Sequence, residues 1–129
     1  MTRAFFTVIA VISLLYGLAF LAIPELLGPL YGAAPDDPNA YLNIRFFGAA
    51  LLSLSLIYWC ARDFTDRAAM RAVLAASLVC NGLGAAINLW AVTHGLLNAL
   101  AWSSAAIQLL LVLWALGCLR AGPREPAGL

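Results

Sequence analysis

Four long apolar runs, at residues 4–23, 42–61, 72–93 and 96–119, constrain this chain more than any other feature. Each holds the roughly 20 residues that a helix rising ~1.5 Å per residue needs to cross a ~30 Å hydrocarbon core. A chain of 129 residues that is 64% hydrophobic and 10% charged has no soluble core in which to hide them. The pattern predicts an all-α membrane protein, a four-helix transmembrane bundle forming one domain over residues 1–120. The first run follows Arg3 as a secretory signal would, but it exceeds the ~7–15 apolar residues of a signal and no small-x-small cleavage site follows. A retained helix is expected.

Local signals refine the ends, giving helices at about 4–23, 38–61, 66–94 and 96–120. Asp37-Pro38 offers an N-cap followed by proline at the first helical position, and Thr65-Asp66 can cap the third helix. Gly95 after His94 is a C-terminal stop, which implies a very tight hairpin into the fourth helix. Gly122-Pro123 ends that helix and leaves a mobile cytoplasmic tail at 121–129. The stretch 24–37, "PELLGPLYGAAPDD", is broken by Pro24, Gly28, Pro29 and Gly32 yet stays greasy. A kinked extension or short interfacial helix over the outer end is expected there.

Arginines set the orientation, because the chain has no lysine. With four crossings Arg3, Arg62, Arg67, Arg71, Arg120 and Arg124 share one side, and Glu25, Asp36 and Asp37 lie on the other. The positive-inside rule then makes both termini cytoplasmic. Aromatic belts are expected at Tyr58, Trp59 and Trp114 inside and at Tyr31, Tyr41, Trp90 and Trp102 outside. A net charge of +1 points to no nucleic-acid partner, and the basic loop serves as a topology signal that can also touch anionic lipid.

Polar and small residues recur at helical spacing. Ser77, Asn81, Gly84 and Asn88 share a face of the third helix, and Ala101, Ser104, Gln108 and Ala115 one of the fourth. Arg45, Gly48 and Ser55 do so on the second, and Ala10, Ser13 and Gly17 on the first. In lipid, small residues permit close helix approach and amides find partners across the interface, so the stripes should face inward. Asn81 and Gln108, both near mid-membrane, are the expected amide pair. Structural packing is one reading; a polar path through Asn81, Asn88 and Gln108 is the other. "LNIRFFGAA" from Leu42 and "LNALAWSSA" from Leu97 form a faint repeat, either a duplication into two pseudo-symmetric hairpins or a chance likeness of apolar helices.

Arg45 is the one cation inside a run. An arginine at a helix centre costs about 2.5–3.5 kcal/mol, although here the side chain can snorkel outward over one turn. It also sits near the positive end of its helix dipole. An anion resolves both problems: Glu25 first, Asp36 or Asp37 as alternatives, or else a bound anionic ligand or lipid headgroup.

No further chemistry assembles. His94 is the only histidine, Cys60, Cys80 and Cys118 lack metal or redox spacing, and no nucleophilic triad or phosphate loop is present. No cofactor and no catalytic or metal-binding residue is expected. Asp63 and Asp66 flank the loop arginines and should be solvated or paired there.

"FLAIPELLGPLYG", then "DPNAYLNIRFFGAALL" and an Arg-rich loop, resembles the DoxX-like and related unknown-function families of small four-helix bacterial membrane proteins over about residues 10–120. The resemblance implies a multi-pass protein of the bacterial inner membrane. DoxX itself is associated with quinone-linked thiosulfate oxidation, but no residue here matches a redox role. The expectation is a non-enzymatic accessory or interaction subunit whose partners are the bilayer, another membrane protein or further copies of itself. A binding or transport module for a small amphipathic or anionic solute or lipid, with Arg45 and Glu25 at its mouth, is the second reading, and a quinone-linked redox subunit the third.

Overall fold

The computed structural model describes residues 1–33, 36 and 38–121. Among them the chain is all helix and turn: α1 (Thr2–Ala22), α2 (Pro24–Leu30), α3 (Pro38–Ala61), α4 (Arg67–Thr93) and α5 (Leu100–Ala121). All but α2 are long and apolar enough to cross a bilayer, which makes this a multi-pass membrane protein. The tail at 122–129, with Arg124 and the Gly122-Pro123 stop, and the Asp37 cap lie outside the described residues.

The helix ends follow from their residues. Pro24 has no N–H to give to Phe20, so α1 stops and α2 restarts at a new angle with proline at its first position. The Asp66 side chain accepts from the Ala68 N–H at 2.9 Å and caps α4. At the far end Gly95 takes φ 71°. Its N–H donates to Val92 O, and that of Leu96 to Ala91 O at 2.9 Å, the two bonds of a Schellman motif. Gly32, at φ 80°, closes α2 in the same way, with Gly32 donating to Pro29 O and Ala33 to Gly28 O.

The hairpin between α4 and α5 is longer than expected. The Schellman turn is followed by Leu96 and Leu97, and Asn98 Oδ1 accepts from the Leu100 N–H at 3.0 Å. α5 therefore starts at Leu100 and not at 96, because the asparagine side chain supplies the cap.

Helix contacts fall into two close pairs, α1 with α3 and α4 with α5; α1 meets α5, and α3 meets α4, far more sparingly. Glycines set the α1–α3 distance. A Cβ added to Gly48 would stand 2.9 Å from Gly17 O and 2.8 Å from Leu21 N, and one added to Gly17 would stand 3.0 Å from Gly48 O. Ser55 Oγ donates to Ala10 O at 2.9 Å across the same seam. Ala10, Ser13, Gly17 and Ser55 are buried as the stripes require.

The core lies at the arginine-rich end. Phe5 and Phe6 are fully buried beside Tyr58, Leu74, Leu111 and Ala115. Phe5 meets Trp114 edge to face with ring centres 5.7 Å apart, and Phe6 stacks on Tyr58 at 6.5 Å. This corrects the inner aromatic belt. Tyr58 is only 2% exposed, with its hydroxyl beside Ser77 of α4, and Trp114 packs on the core. Trp59 alone of the three stays out, with the Arg62 guanidinium 3.6 Å from its ring centre.

Candidate functional site

Arg45 projects from α3 toward the break between α1 and α2. Its Nη2 donates to Glu25 Oε1 at 2.7 Å and its Nε to Leu21 O at 3.3 Å. The geometry follows from two helix ends. Leu21 O is one of the last carbonyls of α1, left without a helical donor by the turn at Pro24, and it carries the negative end of that dipole. Glu25 lies in the first turn of α2. Arg45 thus meets a carboxylate and a carbonyl at once, and the carbonyl was not legible from charge pattern.

The side chains of this pair are 40% and 55% exposed, so their attraction is screened. Arg45→Leu is expected to destabilise the protein and Glu25→Leu to recover much of that loss in the double variant. A coupling of about 0.5–1 kcal/mol, shrinking with added salt, is expected from a double-mutant cycle in detergent unfolding. Additive effects would show that the pair contributes nothing.

The amides distribute themselves differently from the sequence expectation. Asn88 Nδ2 donates to Gln108 Oε1 at 3.0 Å, whereas Asn81 Nδ2 turns back to Ser77 O at 2.9 Å on its own helix. Two causes act together. The later start of α5 makes Gln108 shallower by four residues, ~6 Å at ~1.5 Å each. Helical side chains also lean toward their own N-terminus, so on antiparallel helices Asn88 and Gln108 lean toward each other while Asn81 leans away. Gly84 makes room: a Cβ there would lie 2.6 Å from Gln108 Nε2.

A further polar contact went unseen in the sequence. Tyr31 Oη and Ser104 Oγ are 2.8 Å apart, Asn98 Nδ2 donates to Leu30 O at 2.8 Å, and the Asn98 N–H to Tyr31 O at 2.8 Å. These bonds fasten the segment after α2 onto the start of α5 and so tie one helix pair to the other. Burial raises the Tyr31 hydroxyl above its ordinary pKa. The prolines and glycines of 24–37 signal a turn, but nothing local indicates a partner about 70 residues away.

Buried polar side chains are satisfied throughout the described residues. No three His, Cys, Asp or Glu side chains converge there either. Cavities open between the helices, and two of them are lined by described residues at opposite ends of the chain's helices. The larger, about 690 Å³, lies at the arginine-rich end between the start of α1, the start of α4 and the end of α5. The smaller, about 240 Å³, is an apolar groove between Tyr16, Leu27 and Tyr31. Neither is lined by Arg45, Glu25, Asn81, Asn88 or Gln108.

No curated protein and no solved structure matches the chain. The family whose model does match carries no assigned activity, and it is not the DoxX family, so the quinone-linked chemistry implied by that resemblance gains no support. With residues 2–119 covered by the match, the chain belongs to the family described as Domain of unknown function (DUF8292).

Proposed function

We propose that this protein is a non-enzymatic subunit of the bacterial inner membrane, a four-helix bundle of two pseudo-symmetric hairpins with both termini cytoplasmic, that packs against another transmembrane helix. The observation that carries this reading is the outer face of α4. Ala68, Ala72, Ala75, Val79, Gly82 and Ala86 recur there at every third or fourth position, and all but the half-buried Gly82 are exposed. Only 17% of the most apolar stretch of α4 is buried inside the chain, against 33% for α1. A face of small side chains lets a second helix backbone approach closely, and in lipid such packing is the main force for association.

The mutual engagement of Arg45 with Glu25 and of Asn88 with Gln108 supports a structural role for those residues over a solute path. The partner helix belongs to another membrane protein or to a second copy, and cross-linking from a cysteine at position 86 tells these apart by product mass.

Gly82→Leu is the direct test. No heavy atom lies within 4 Å of a Cβ added there, and leucine has the higher helix propensity, so the fold should keep or gain stability. Association measured by co-purification or cross-linking should fall about tenfold, which corresponds to ~1.4 kcal/mol. Unchanged association of the variant would remove the α4 face from the proposal. A wild-type chain that retains neither a partner nor a second copy would end the interaction reading.

A further inference from the structure

The larger cavity has a composition that the helix-packing role does not require. Its rim carries Arg3, Arg67 and Arg71, and its floor is made of Met70, Leu74 and Leu119. Arg67 and Arg71 stand one turn apart on the same face of α4, so their charges repel. Arg67 also lies in the first turn of α4, where the helix dipole is positive and which carries no acidic residue. Each of these effects disfavours two guanidiniums and favours an anion between them.

The nearby carboxylates are already engaged. Asp63 holds Arg3 at 3.1 Å and Arg62 at 3.1 Å, and the Asp66 side chain caps α4 through the Ala68 N–H. Neither Arg67 nor Arg71 has a hydrogen-bond or ion-pair partner among the described residues. By contrast Arg45, at the opposite end, is paired with Glu25. The two arginines thus line the cleft with no ion-pair partner among the described residues.

We propose that this cleft binds an anionic phospholipid from the leaflet at the arginine-rich end. Arg67 and Arg71 hold the headgroup phosphate, and the first part of an acyl chain lies along Met70, Leu74 and Leu119. Three features select a lipid over a free anion. The volume of about 690 Å³ is within the ~300–1,000 Å³ range of small-molecule sites and exceeds what an inorganic ion fills. The floor is apolar, which a free phosphate would leave unused. The rim lies at the ends of membrane-spanning helices, where lipid phosphates are found and where basic side chains attract anionic lipid. Gly82 is not among the residues that line the cleft, so Gly82→Leu tests the partner helix without altering this site.

Native mass spectrometry of the full chain in detergent, titrated with phosphatidylglycerol or phosphatidylcholine, tests this. Wild type should retain phosphatidylglycerol about tenfold better than phosphatidylcholine, and Arg67→Gln with Arg71→Gln should abolish that preference. Arg67→Gln alone should weaken the preference, whereas Arg120→Gln, which removes the same single charge from α5 outside the cleft, should keep it. Leu119→Trp, which fills the floor without altering charge, should weaken phosphatidylglycerol retention while leaving the melting temperature near wild type. Equal retention of the two lipids by wild type, or a preference unaffected by the double substitution, would overturn the proposal. So would inorganic phosphate displacing phosphatidylglycerol at equal concentration, which indicates a free-anion site, or retention of a protein at the cleft in place of lipid.

Discussion

Gly48→Ala is expected to force α1 and α3 apart and to produce the larger of two stability losses. The new Cβ would meet Leu21 N at 2.8 Å, Gly17 O at 2.9 Å and Phe20 C at 3.1 Å, all of them backbone atoms. A side chain could rotate away from such an intrusion, but a helix backbone can relieve it only by moving as a body. That movement also stretches the Ser55 to Ala10 bond in the same seam. The expected loss is at the upper end of the ~1–3 kcal/mol for overpacking, despite the better helix propensity of alanine. Gly84→Ala supplies the contrast. Its Cβ would strike the amide end of Gln108 at 2.6 Å, and that end can swing away. It should lose only the Asn88 bond, about 0.6 kcal/mol and at most ~1.7. Unfolding in mixed micelles measures both, and a Gly48→Ala protein no weaker than Gly84→Ala would refute the close-approach argument.

Phe5→Ala is expected to cost about 2–3 kcal/mol and to loosen the contact between the two helix pairs. Phe5 is fully buried, and its ring meets Trp114 of α5 at 75° and Phe6 at 60°. In a soluble core the same truncation costs ~3–5 kcal/mol, part of it the transfer of apolar surface out of water. In a bilayer that part largely vanishes, because an unpacked phenyl ring still sits in hydrocarbon. What remains is the cavity and the aromatic pair with Trp114, the latter worth about 0.5–1.5 kcal/mol. Phe5→Leu should retain more than half the stability lost by the alanine variant. Trp114 fluorescence and cross-linking between α1 and α5 provide the local readout, and an unaltered α1–α5 cross-link in the alanine variant would refute the joining role.

Some of this architecture was visible in the residues alone. The apolar runs located the spanning helices because length against bilayer thickness is a property of each segment by itself. Asp66 and Gly95 marked their helix ends because capping is decided within a few residues. The stripes of Ala10, Ser13 and Gly17, and of Ser55, pointed inward because a helix places every third or fourth residue on one face. The Arg45 to Glu25 pair could be chosen because the segment after α1 and the start of α3 both bring a charge to the same end of the membrane.

Other features needed the third dimension. Gln108 bonds to Asn88, and not to Asn81, because a four-residue delay in starting α5 shifts the register between two helices. Tyr58 is core, and not belt, because in a spanning helix the lipid-facing and buried surfaces are equally apolar and hydrophobicity cannot separate them. The tie from Tyr31 to Ser104 and the basic cleft beneath Arg67 and Arg71 join segments far apart in the chain. By itself the sequence determined how many helices are long and apolar enough to cross, several of their caps and which helix ends carry the arginines, since those are set by local composition and bilayer thickness. Which faces meet, which amides pair and where a cavity opens were decided only in the tertiary structure, because they depend on interhelix register and distance, set here by Gly17, Gly48 and the turn before Leu100.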